Sequence, residues 1–418
     1  MIIITKLTLY DEQAAINNVK SLEFTRHATT EGEIKALNYI RKELDKENVK
    51  SNIESFEWSK SSRLLVKVFF LWIFICTLGI EILLQFPSFT WLIIPLESTF
   101  FLVLVVLSKS IFDYPKIRFI GKRKESHNII STIQAKDLHP KRPVIIFSAH
   151  YDTVSHNFPH KFSKVLLISA VSLLLSYILI NLILSIWSII ILFTSIQIEI
   201  VYLSIRAISL ILGIILLLEM FVLFFMRTGD ESVGSIDNAS GVVILLELAK
   251  LINSNPLEKT DVIFLWCGAE EMGLWGSKQY CSNHFEQLNR DYDLNKSYNI
   301  NIDMIGTYIG LIDETGLIRK KKINKNLNDV LKAFDTQHRI PPNKSKLSFG
   351  SASDHVVFRA FAKKADLKDF QVTCFISNKD TKYIHSRKDV PELCSAENLN
   401  GCIDICYNAI RSLDSRVE

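Results

Sequence analysis

The sequence predicts an α/β fold with a largely parallel sheet covered on both faces, interrupted by about four transmembrane α-helices in two inserted hairpins. Three observations carry this. Short continuous apolar runs of buried-strand type alternate with helical segments. Two much longer regions are almost free of charge, and each reads as a doublet. Acidic residues and histidines recur at the ends of the short apolar runs, where open α/β sheets gather functional groups.

The start, MIIITKLTLYDEQAA, has no positive region before its apolar residues and no small-residue cleavage site, so it does not read as a signal peptide. Residues 31–46, EGEIKALNYIRKELDK, space Ala36, Leu37, Tyr39, Ile40 and Leu44 onto one helical face. From Leu64 to Leu84 only Lys67 and Glu81 are charged; a break at Gln85–Ser88 follows, and a second run extends from Phe89 to Leu107. Each run is roughly 20 residues, enough to cross about 30 Å of hydrocarbon as a helix. PVIIF at 143–147 reads as a strand. The stretch from Phe162 to Met226 is apolar except near Gln197, Glu199 and Arg206, and divides into helices over 163–194 and 200–226. GVVILLELAKLI at 241–252 reads as a helix with Ser240 as its N-cap. DVIFLW at 261–266, YNINI at 298–302 and FQVTCFI at 370–376 complete the strands.

The expected organisation is therefore a discontinuous α/β domain, residues 1–60, 111–160 and 228–418, with hairpins at 61–110 and 161–227. Composition agrees. Of 418 residues, 48% are hydrophobic, which is high for a soluble enzyme of this size and argues for lipid contact. A net charge of +4 with no long basic tract argues against nucleic acid. Seven cysteines without paired spacing fit a reducing compartment better than a disulfide framework. Nothing in the sequence marks an oligomeric state.

The chemistry-bearing residues fall in a fixed order. His150 and Asp152 lie in SAHYDT after the first strand; this spacing lets one ligate a metal while the other orients it. Asp237 opens DNASG before a helix, where alone it would read as a helix-capping acid. Glu270 and Glu271 in CGAEEMG have apolar and glycine flanks, unlike ordinary solvated charge, and neighbouring carboxylates can divide metal binding from proton transfer. Asp303 ends a strand in NIDMIG, and His385 follows a strand and polar loop in IHSRKD. Two histidines, two aspartates and a glutamate, with no cysteine, suit a hydrolytic two-zinc centre.

The series HYD, DNASG, AEE, NIDMIG, SDH and IHSRKD resembles the di-zinc exopeptidase family of bacterial leucyl aminopeptidases and glutamate carboxypeptidases. The resemblance covers roughly 22–55, 115–155 and 228–412. It implies a mostly parallel mixed sheet flanked by helices and two Zn2+ ions. His150 and Asp303 would hold one ion, Glu271 and His385 the other, and Asp237 would bridge them. It makes Glu270 the general base and later the acid, and Asp152 the residue orienting His150. Asp354 and His355 match a motif near the substrate pocket. The implied activity is peptide hydrolysis, most simply as an aminopeptidase, by a zinc-bound hydroxide.

The departure from the family lies in the insertions, which separate His150 from Asp237 by 87 positions. Because both must reach one metal pair, an even number of spans must separate them. Insertion near the metal residues would set the site by the bilayer and favour membrane-associated substrates. Lys60, Arg63, Lys109, Lys116, Arg118, Lys122, Arg123, Lys124, Lys161, Lys164 and Arg227 flank the spans on the catalytic side, which predicts a multi-pass protein with its catalytic domain facing the cytoplasm. Two other readings stay open. One is a cyclotransferase or non-catalytic relative of the same fold. The other is a four-span transport or regulatory protein, for which Lys67, Glu81 and Glu219 inside the spans would speak, although they sit near span ends.

Overall fold

The computed structural model describes residues 13–112, 119, 121–194, 199–315, 321–334, 345–346 and 352–417. The N-terminal apolar start, the flanking Lys116 and Arg118, and the side chains of Arg63 and Lys109 lie outside what is described. The chain divides into two units, one of Met1–Lys60, Tyr114–His156 and Thr228–Glu418, the other of Ser61–Asp113 and Asn157–Arg227.

In the first unit, six strands form one sheet: β1 (Asn52–Ser59), β2 (Arg123–Ile133), β3 (Val144–His150), β4 (Asp261–Cys267), β5 (Tyr298–Ile302) and β6 (Gln371–Phe375). Their order is β1-β2-β4-β3-β5-β6. β4, β3, β5 and β6 run parallel, whereas β2 pairs antiparallel with both β4 and β1. The sheet is thus mixed, with an antiparallel margin that hydropathy alone did not mark. Neither β1 nor β2 is a continuous apolar run: β1 intersperses apolar residues with charges, and β2 opens on six polar residues.

Helices α1 (Ala14–Ser21) and α2 (Glu31–Lys46) precede the first insertion. After the second come α7 (Ser240–Ser254), α8 (Trp275–Asp291), α9 (Lys325–Ala333), α10 (His355–Lys364) and α11 (Ala396–Asp414). The period of two in β3 explains why helices are needed on both sides. Ile145, Phe147 and Ala149 enter a core shared with α1, α2, α7 and α11. Val144 and Ile146 enter another with Tyr280 and Phe285 of α8 and Phe358 of α10. Burial of β3 on both faces is what a parallel strand between helices requires. All seven cysteines are unpaired and buried.

The second unit consists of α3 (Ser61–Leu83), α4 (Ile93–Phe112), α5 (His160–Phe193) and α6 (Glu199–Phe224). Leu64–Leu83, His160–Ile191 and Glu199–Phe224 are long and apolar enough to cross a membrane. The described apolar stretch around α4, Pro87–Val103, is shorter, and its first turn is a tight 3-10 segment, Pro87–Leu92, rather than the start of a regular span at Phe89. Large apolar residues such as Ile75, Leu175 and Leu218 point outward, while Ile80, Tyr177, Leu184 and Met220 pack inward.

Candidate metal centre

The parallel strands deliver the functional residues to one end of the sheet. His150 is the last residue of β3 rather than a loop residue beyond it, and pairs in register with Cys267 at the end of β4. Three residues past Cys267 stands Glu270, then Glu271. Asp303 follows β5 directly. Asp237 arrives on the irregular turn Ser235–Ala239 before α7, and His385 on the loop after β6.

The five residues with ligand chemistry converge. His150 Nε2 lies 3.1 Å from Asp237 Oδ1 and 3.4 Å from Asp303 Oδ1. His385 Nε2 lies 3.1 Å from Asp237 Oδ2 and 3.0 Å from Glu271 Oε1. His150, Asp237 and Asp303 form one group whose donor atoms lie within 4.8 Å of one another, and Asp237, Glu271 and His385 form another. Asp237 is common to both, one oxygen toward each imidazole.

Around them the loops are tied to one another. Both Asp152 carboxylate oxygens accept backbone amides, from Glu270 at 3.0 Å and Glu271 at 3.1 Å. His150 Nδ1 lies 3.1 Å from the Asp152 carbonyl and 3.6 Å from its carboxylate. Asn238 joins the Asp237 and Asp303 loops, donating to Ile302 O at 2.8 Å and accepting from Met304 N at 3.2 Å. Gly241 is required there, because a Cβ would overlap Asn238 and the Ile302 carbonyl. Ser240 does not cap α7 as its sequence position suggests. It is the first helical residue, and its hydroxyl donates to Ile236 O and accepts from Ile305 N, so it braces the two loops instead. Asp237 is no cap either, since the chain remains irregular until Ala239.

Three non-glycine residues in this constellation have left-handed backbone: Ala269 (φ 51°), Met304 (φ 76°) and His385 (φ 56°). Each such residue costs of order 1–3 kcal/mol and persists only where its surroundings over-determine it. Two further buried residues brace the turn that carries Asp237. Asp389 accepts the amides of Ile236 at 2.6 Å and Asp237 at 3.1 Å. The fully buried Arg26 guanidinium donates to the carbonyls of Tyr151, Leu22, Phe24, Val233 and Gly234. Asp389 stood in the IHSRKD motif and was legible there; Arg26 had no local signal.

The electrostatics call for cations. Burial works against a charged His385, yet Glu271 and Asp237 outweigh it and push the imidazole up to about 10. Burial would raise the Asp237 carboxyl, but hydrogen bonds from His150 and His385 hold it below the usual range. Burial, opposed by His150 and reinforced by Asp354, Glu271 and Asp303, pushes Glu270 well above an ordinary glutamate. Asp354 stands at the start of α10, buried and outside both donor groups, its carboxyl raised to about 6 by burial against the pull of His150. His355 is buried beside it, its imidazole kept neutral by burial and by Arg359.

Residues 223–410 match the family model described as Peptidase family M28. Aminopeptidase YwaD of Bacillus subtilis (strain 168) is 33% identical over 129 residues, 30% of this chain and 26% of that protein, so the match spans about a quarter of the relative's length. Among solved structures, an aminopeptidase from Aneurinibacillus sp. strain AM-1 aligns with TM-score 0.53 and 15% identity, over 96% of this chain and 93% of that one. BSAP, a zinc aminopeptidase from Bacillus subtilis, gives 0.51 and 14% over 98% and 97%. A glutaminyl cyclase from Fimbriiglobus ruber gives 0.54 and 11% over 97% of each. At these identities the structural likeness shows the fold. With the family match, it bears out the exopeptidase resemblance read from the motifs.

Proposed function

We propose that this protein is a membrane-anchored di-zinc exopeptidase acting as an aminopeptidase. The observation that carries this is Asp237, which turns one oxygen to each of two imidazoles, each accompanied by its own second carboxylate. His150 and Asp303 would hold one zinc, Glu271 and His385 the other, with Asp237 common to both. Nitrogen and oxygen donors without thiolate suit hydrolytic zinc, and so many buried carboxylates need cations beside them. Zinc held by these residues would supply Lewis acidity toward a carbonyl oxygen and would acidify a water molecule.

The remaining steps belong to side chains of this chain. Glu270, within the carboxylate cluster but outside both donor groups, takes the proton from the attacking water. It then hands that proton to the leaving amine, a role its burial favours by stabilising the protonated form. Asp152 fixes the glutamate pair through their amides and orients His150. Asp354 and His355 are assigned to the substrate side of the site. The helical unit serves as anchor, with α4 as a fourth span. The lysines and arginines flanking the spans assign the connections into the α/β unit to the cytoplasmic side.

The test is metal content and residue release from a peptide panel, on detergent-purified whole chain and two variants. Wild type should hold about two zincs and release N-terminal residues. Glu270→Gln should keep the metal and lose about 10²–10⁴-fold in turnover. Asp237→Ala should lose both metal and activity. Unchanged turnover in Glu270→Gln would remove its assignment as base. Because the fold also carries a glutaminyl cyclase, the panel includes peptides with N-terminal glutamine; ring closure without hydrolysis would replace the peptidase reading.

A further inference from the structure

The helical unit carries acid groups for which anchoring has no use, and buries one of them. Glu97 on α4 is 5% exposed, and its Oε1 has no hydrogen-bond partner among the described residues. It lines a cavity of about 10 Å³ together with Thr77, Cys76 and Tyr177, room for about one water molecule or one small ion. On its other side, Tyr177 donates to Glu81 Oε1 at 2.8 Å. Tyr177 thus joins the cavity to a second carboxyl.

Glu81 stands near the end of α3 but meets the middle of two neighbouring helices. Its carboxyl lies against Gly213 of α6, where a Cβ would overlap it and crowd Tyr177. Tyr177 is midway along the 34-residue α5 and Gly213 midway along the 26-residue α6. At 1.5 Å per residue, Tyr177 is roughly 25 Å from either end of its helix, beyond the reach of a snorkelling side chain.

The other polar groups of these helices are engaged elsewhere. Lys67 lies over the Phe224 ring, Arg206 reaches Gln85, Tyr202 meets Thr90, and Glu219 accepts from Ser169. Among the described residues, no cation pairs with either Glu81 or Glu97.

We propose that the helical unit contains a cation-binding site, for protons or alkali metal ions, formed by Glu97, Tyr177 and Glu81. An unpaired carboxylate in hydrocarbon is strongly disfavoured, so such a site must take up a cation to exist. Thr77 and Tyr177 add neutral oxygens beside the acid groups. Gly213 reserves the space that the Glu81 carboxyl fills.

This inference rests on the membrane reading, and its test separates the two. Carbonate washing of membranes that contain the whole chain comes first; release into the soluble fraction would defeat the membrane reading and the site with it. The chain in lipid nanodiscs is then followed by infrared spectroscopy through the carboxylic-acid C=O band, between about pH 5 and pH 10 and with or without sodium chloride. A band that is lost with rising pH and is absent from Glu97→Gln, sodium having no effect, identifies a proton. Its loss on adding sodium at fixed pH, with proton release, identifies a metal ion. Gly213→Ala, which displaces Glu81 but keeps Glu97, should shift the band without abolishing it. A retained membrane protein whose band responds to neither pH nor sodium would overturn the site and leave the acids as static packing groups.

Discussion

The two units bury opposite things. In the α/β unit, strands such as β3 are apolar and buried on both faces, and buried charge gathers at the sheet's carboxyl end, with Asp261 at the other end paired to Arg142. In that unit many buried polar groups are tied to neighbours, as with Asp152, Asn238, Asp389 and Arg26. In the helical unit the outside carries Leu, Ile, Val and Phe, while Glu97, Asn181, Ser185 and Ser209 are inside. Asn181 accepts from Ser209, and Ser185 donates to the Thr90 carbonyl. A soluble core excludes polar groups because water would otherwise solvate them. A helix bundle in lipid turns them inward because the surroundings cannot solvate them at all. In both, the candidate sites lie where the chain accepts that cost.

The comparison can be broken or sharpened by substitution. The largest expected effect is in the α/β unit, at Asp389→Ala. It leaves two buried amides without an acceptor, each costing about 1–3 kcal/mol, and frees the turn that carries Asp237. Thermal unfolding should move to lower temperature and zinc affinity should fall together; a variant with both unchanged would show that the turn is held without Asp389.

Next comes the outward face of α6. Leu218→Arg places a charge where the helix exposes an apolar side chain, and insertion should become less favourable by about 2.5–3.5 kcal/mol. Insertion efficiency in microsomes measures it. The matching change in the α/β unit, the exposed Ile34→Lys on α2, should alter stability by no more than about 0.5 kcal/mol. Equal effects at the two positions would erase the distinction between lipid-facing and water-facing surfaces.

A further effect is pH-dependent. Glu33 is buried against Ser126, Thr29 and Tyr151, and burial raises its carboxyl from 4.5 to about 7. The folded state therefore binds its proton more tightly than the unfolded chain. Stability should decline as pH rises from about 4.5 to about 7 and then level off. Glu33→Gln should flatten that part of the denaturation profile; an unchanged slope would assign it to another group.

Some of this was readable without coordinates. The parallel strands announced themselves as continuous apolar runs, because burial on both faces leaves no room for alternation. His150, Glu271 and Asp303 stand at or just past the ends of such runs, so their arrival at one end of the sheet follows from strand direction. β1 and β2 do not show in the sequence, since the apolar residues of β1 are interspersed with charges and β2 opens on six polar residues. The helix read at 241–252 was visible, yet Ser240 was misassigned: local sequence favours a cap there, while the Ile305 amide makes a tertiary demand on the same hydroxyl.

By itself, then, the sequence determined the alternation of strands and helices, the apolar lengths of the helical insertions, and the residue types offered for metal and proton chemistry. These are local properties, additive over a few to about twenty residues. Only the tertiary structure decided that Arg26 and Asp389 brace the Asp237 loop across more than 150 positions of chain, and that Glu81 meets Tyr177 and Gly213 in mid-helix. Each depends on groups brought together by packing, and a pairing between distant segments leaves no periodicity in either of them.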